Sequence, residues 1–219
     1  MTTRADPVSP GDASADRSWT VRIRSRVVGL VPEGQWLPGR QPVYVASWIY
    51  VFGVLTLASL AVVIVTGGAL SLGGVAWYHV SSLGLFVNSL HLWSVELFFA
   101  FMVIHLWGKF WMAAWRGGRA LTWMTGVVLF VASIGTAFTG YLSQTNFDAQ
   151  WIAAEAKDGL DAVGIGAFFN VLNPGQMLLW HVVLLPFAVG LITVMHIILV
   201  RRHGVVPPID ADSPIEKEE

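Results

Sequence analysis

HLWSVELFFAFMVIH (residues 91–105) and HVVLLPFAVGLITVMH (residues 181–196) are two apolar stretches that each open and close on a histidine. Both belong to longer apolar runs, and a run of roughly 20 such residues is enough to cross a bilayer as a helix. At about 100° per residue, the step from His91 to His105 returns to within roughly 40° of its starting direction, and the step from His181 to His196 to within roughly 60°. Each pair therefore shares one helix face. The rise is about 21 Å within the first pair and about 22 Å within the second, so two such helices set face to face would stack their imidazoles in two layers. Layers about 20 Å apart in a hydrocarbon core about 30 Å thick lie one toward each membrane surface.

Outward from these stretches, apolar runs at 46–70, 83–111, 121–143 and 176–200 all reach spanning length. Lipid offers the backbone no hydrogen-bond partner, so the four runs are expected as helices and the fold as an all-α transmembrane four-helix bundle. Composition agrees, since 55% of the residues are hydrophobic and 12% charged, too apolar for an ordinary soluble domain. A formal net charge of -1 gives no basic footprint, which sets nucleic acid aside as a partner and leaves membrane lipid. Three segments follow: 1–45 as a cytoplasmic tail, 46–203 as the membrane domain and 204–219 as a disordered cytoplasmic tail. Residues 1–17 are rich in Ser, Asp and Thr and read as disordered. Residues 19–31 alternate Val and Ile with Arg22, Arg24 and Arg26, and read either as a basic surface-lying segment or as a solvated linker. The chain ends in Glu216, Lys217, Glu218 and Glu219, expected to be solvated.

Charge in the connections sets an orientation. Arg22, Arg24, Arg26 and Arg40 precede the first span, Lys109, Arg116 and Arg119 flank the second connection, and Arg201 and Arg202 follow the fourth span. The first connection, 71–82, carries no charge, and the third, 144–175, holds Asp148, Glu155, Asp158 and Asp161 against Lys157. Positive residues stay inside, so both termini are expected in the cytoplasm of a multi-pass cell-membrane protein. A connection of about thirty residues is usually functional or carries helices of its own.

A lone intramembrane histidine is most simply a polar contact between helices, but two matched pairs point to ligation. Two imidazoles per layer without carboxylates are too few ligands for zinc. They do close both axial positions of a haem iron, which then transfers electrons and does not bind oxygen. His91, His105, His181 and His196 are therefore expected to ligate the iron of two non-covalent b haems inside the bundle. With no cysteine, the chain holds no disulfide, thiolate-bound cluster or thioether-linked haem. Gly53 and Gly67 on the first span, like Gly126 and Gly140 on the third, repeat the interval of the first histidine pair. They would let a flat macrocycle approach the helix backbone, or serve as ordinary small-residue packing. Glu96 is about 140° from His91 and about 180° from His105, so it should face away from the haems and pair with a partner subunit or relay protons. His79 and His203 read as surface histidines, and Pro186 as a kink in the fourth span. Arg201, Arg202 and Lys109 would neutralise haem propionates or anchor helix ends at the interface.

These residues resemble the amino-terminal, haem-bearing half of cytochrome b, and most of all the cytochrome b6 of the b6f complex. The resemblance covers roughly residues 30–208. It rests on His91-Leu92-Trp93-Ser94 with His105, on Leu121 to Leu129 (LTWMTGVVL), on Thr139-Gly140-Tyr141, and on His181 with Leu185-Pro186-Phe187 and His196. The closing run from Met195-His196 to Arg201-Arg202 and Gly204 is similar as well. The resemblance implies that His91 and His181 hold an outer, low-potential haem, and His105 and His196 a high-potential haem on the cytoplasmic side. It also implies quinol as substrate, a quinone site, and a Rieske-type iron–sulfur protein or other redox subunit as partner. The chain departs from the family where Tyr141 is followed by Leu142-Ser143-Gln144 instead of a Pro-Trp pair, and where Asn88 replaces an arginine three residues before the first ligand. It ends after four spans, so a separate C-terminal cytochrome b-like subunit is expected to supply the remaining part. The expected function is a dihaem cytochrome b subunit carrying electrons from quinol in a bc-type respiratory complex. The alternatives are a quinone-linked anchor of a peripheral dehydrogenase or nitrate-reductase-like enzyme, and a haem-free structural membrane subunit. No catalytic residue is assigned.

Overall fold

In the computed structural model, which describes residues 19–30, 42–144 and 146–209, every regular element is helical. Helix α1 (Trp19–Leu30) takes up the basic stretch, and two 3₁₀ turns, Val43–Ala46 and Trp48–Tyr50, lead into α2 (Val51–Val80). Then come α3 (Ser82–Trp111), α4 (Ala120–Leu142), α5 (Phe147–Ala162) and α6 (Pro174–His203). Among the described residues α2, α3, α4 and α6 are long and apolar enough to cross a membrane, and the chain is a multi-pass membrane protein. The tail at 1–17, Arg40 and the acidic end from Glu216 lie outside the described residues.

The first span overruns its expected end. Residues 71–80, expected in a connection, continue α2 to Val80, and Ser81 alone separates α2 from α3. Gly74 explains the difference. It adopts φ +76° and ψ 168° inside the helix, a conformation open to glycine, so the chain bends there and resumes helix across a stretch that has no charge to stop it. The turn at Ser81 is tight enough that a Cβ on Gly84 would collide with the Trp77 carbonyl. Ser81 caps α3, its hydroxyl accepting from the Gly84 amide at 3.4 Å.

The long third connection contains α5, capped by Asn146, whose side chain accepts from the Ala149 amide at 2.8 Å. Its buried Ala149 and Ala153 lie on the side facing the bundle, and Leu142, Ala153, Val171 and the fully buried Met177 form an apolar cluster with Phe138, Tyr141, Phe169 and Trp180. This cluster ties α5 over the ends of α4 and α6. Within α6, a π turn at Trp180–Leu184 precedes Pro186, which lacks the N–H needed to continue a regular ladder there.

Close backbone packing runs within two pairs, α2 with α3 and α4 with α6, and is sparse between the pairs. Chain connectivity puts the start of α2, the α3–α4 turn and the end of α6 together at one end, which carries Arg116, Arg119, Arg201 and Arg202. At this basic end the stretch 204–209, expected to open the tail, is tied back onto the bundle. Arg116 donates to the carbonyls of Pro207, Pro208 and Ile209, Arg119 to that of His203, and the Tyr50 hydroxyl to that of Val206 at 2.7 Å.

Candidate haem-binding site

The histidines on α3 and α6 point into the space between the two helix pairs. His91 and His181 lie on the half of the bundle nearer α5, with ring centroids 6.2 Å apart and ring planes at 86°. His105 and His196 lie on the half nearer the basic end, within electrostatic reach of each other. An iron bonded to two imidazole nitrogens at about 2 Å each would separate their ring centroids by roughly 6 Å, which is the spacing of the first pair.

Each glycine of the repeated interval backs one of these rings. A Cβ built on Gly53 would come within 3.1 Å of the His105 ring, on Gly67 within 3.1 Å of His91, and on Gly126 within 3.3 Å of His196. On Gly140 it would overlap the His181 ring outright. From sequence, these glycines are expected either to admit a flat macrocycle or to pack helices closely. The contact in the structure is with the imidazoles, whose Cε1 edges come close to the neighbouring helix where a side chain is missing.

Hydrogen bonds fix which ring nitrogen is free. Thr66 Oγ1 lies 2.9 Å from His91 Nδ1, and its own proton goes to the Val62 carbonyl at 2.7 Å. With that proton engaged the hydroxyl accepts, so a neutral His91 ring carries its proton on Nδ1 and leaves the Nε2 lone pair open. Thr125 repeats this arrangement for His196, 2.9 Å from Nδ1 while donating to the Thr122 carbonyl at 2.8 Å. His181 Nδ1 lies 2.8 Å from the Thr136 carbonyl, which only accepts, so it too is an Nδ1–H tautomer. His105 Nδ1 is buried and finds no partner among the described residues.

Neutral imidazoles with open Nε2 atoms are suitable axial ligands for haem iron. No group of three or more His, Cys, Asp or Glu side chains able to hold a bare metal ion occurs among the described residues. The donor set, the glycine-backed rings and the fixed tautomers together fit haem.

Other singled-out residues lie elsewhere. Glu96 is exposed on the outer face of α3, and His79 is exposed beside Tyr78. His203, also exposed, is nonetheless engaged, its Nδ1 lying 3.1 Å from Thr122 Oγ1. Arg201 and Arg202 are exposed, whereas Lys109 is buried. Sequence reasoning missed Thr66 and Thr125. The signal was present, since Thr66-Gly67, Thr125-Gly126 and Thr139-Gly140 repeat one dipeptide at three of the four glycines, with Phe52 before the fourth.

Comparisons with known proteins point to one family. The family model described as cytochrome b(N-terminal)/b6/petB matches residues 96–219. A cytochrome b6 from Heliobacterium mobile is 30% identical over 191 residues, covering 76% of this chain and 89% of that protein. A cytochrome bc complex cytochrome b subunit from Chlorobaculum thiosulfatiphilum is 33% identical over 137 residues, 58% of this chain but only 32% of the relative's length. A chain of a solved hyperthermophilic respiratory Complex III superposes with a TM-score of 0.69 over 95% of this chain and 58% of its own length, at 20% identity, which is a likeness of fold.

Proposed function

The chain belongs to the cytochrome b(N-terminal)/b6 family, and from that premise we propose that it is a dihaem electron-transfer subunit of a quinol-oxidising, bc-type complex of the cell membrane. Family membership carries haem binding with it; the number of haems and their ligands belong to the proposal. The observation that supports it most is the set of four intramembrane imidazoles in two layers, each backed by a glycine and three of them held with Nε2 open.

His91 and His181 would hold one haem, His105 and His196 the other. Haem, when bound, supplies reversible one-electron chemistry at iron. The chain's own residues supply the rest. The four imidazoles would hold the iron, and an iron held by two of them would be left to electron transfer and closed to oxygen. Thr66, Thr125 and the Thr136 carbonyl hold three rings in the ligating tautomer and strengthen their donation to a metal. Apolar spanning helices exclude water from the centres, and the two layers divide the membrane into short steps. In this reading quinol is the reductant, a Rieske-type or other redox subunit takes electrons onward, and a C-terminal cytochrome b-like part completes the assembly. The basic end faces the cytoplasm by the positive-inside rule. Haem stoichiometry and electron paramagnetic resonance of the purified chain test the reading. Two low-spin bis-imidazole centres per chain are expected, and a single centre, a high-spin centre or none contradicts it.

A further inference from the structure

Lys109 is the unusual charge of this molecule. It lies on a spanning helix, is only 9% exposed, and pairs with no carboxylate among the described residues. Burying an ammonium is costly unless its surroundings compensate. Its Nζ lies 3.8 Å from the centroid of the Tyr50 ring, in cation–π geometry, and donates to Met112 Sδ at 3.7 Å. Tyr50 is itself fixed, since its hydroxyl donates to the Val206 carbonyl. The stretch past α6, the start of α2 and the end of α3 thus combine to hold this cation in place.

Its position is one helical turn beyond His105, on the same face and within electrostatic reach of that ring. Among the described residues, the other layer has nothing comparable. Neither α3 from 82 to 98 nor α6 from 174 to 188 contains a lysine or arginine. Resting on the haem reading above, we propose that Lys109 is a positioning residue whose fixed charge raises the reduction potential of the centre held by His105 and His196. Reduction removes one positive charge from a metal centre, so a nearby cation in a poorly screened interior favours the reduced form. The His105 ring acts in the same direction. Without an acceptor for Nδ1 among the described residues it is a weaker electron donor than His91, His181 or His196, which each have one.

Optical redox titration of the haem-loaded chain at pH 7 tests this, comparing the unsubstituted protein with Lys109→Gln, Lys109→Met and Lys109→Arg, and using His105→Ala to assign the basic-end centre. In the Gln and Met variants the reduced-to-oxidised ratio of that centre at fixed ambient potential should fall about tenfold, equivalent to about 59 mV for a one-electron couple. Arginine should restore it, and the other centre should stay put. A reduced-to-oxidised ratio unchanged to within about twofold while both haems remain bound, or an equal shift of both centres, would overturn the proposal alone. Absence of haem from the unsubstituted chain would overturn the functional reading on which it rests.

Discussion

Gly140 has the least room of the four glycines that back the histidines, because a methyl group there would occupy space taken by the His181 ring. Gly126 is looser, its added Cβ reaching only 3.3 Å from His196. Overpacking of a filled site costs about 1–3 kcal/mol, and here the strain falls on a proposed ligand. Gly140→Ala should therefore lower haem content at the α5 end and reduce thermal stability, while Gly126→Ala should do less of both. Parallel pyridine haemochrome assays and melting curves compare the two. The positions of these residues were legible in the sequence because helical period alone decides which of them share a face. Their partners were not. Thr66 serves a histidine 25 residues away and Thr125 one 71 residues away, on different helices. Such pairings depend on which helices pack together, which one-dimensional spacing leaves open. A Thr-Gly dipeptide gains its meaning only when the facing imidazole is known.

At the level of elements, the four spans were readable from unbroken apolar length, and the capped helix α5 falls where the long acidic connection suggested extra structure. The first connection was not readable. Its glycines and lack of charge look like a loop, yet they also permit a bent helix, and lipid rewards the form that satisfies its own backbone. Gly74 makes the second outcome possible by taking a positive φ. A non-glycine residue in that conformation costs about 1–3 kcal/mol, so Gly74→Ala should lower the midpoint of thermal unfolding in detergent. A similarly placed Gly68→Ala, at a site where an added methyl meets nothing within 4 Å and φ is not positive, should not lower it.

For the whole molecule, charge asymmetry and the paired packing of helices make one picture. Arg116, Arg119, Arg201 and Arg202 gather at one end, while the acidic residues of α5 gather at the other. The chain has no native cysteine, so single introduced thiols report sidedness cleanly. In intact cells an impermeant maleimide should label Asp158→Cys on exposed α5 and should label Arg202→Cys only after the membrane is opened. The reverse pattern would invert the proposed orientation.

The account depends most on two haem sites set between α3 and α6 at two depths. Its most direct test is haem stoichiometry and redox-resolved optical spectra of the purified chain carrying His91→Ala or His105→Ala. Two b-type centres are predicted in the unsubstituted protein, with one lost in each variant and the survivor retaining its own spectrum. One centre throughout, or spectra indifferent to both substitutions, would contradict the account.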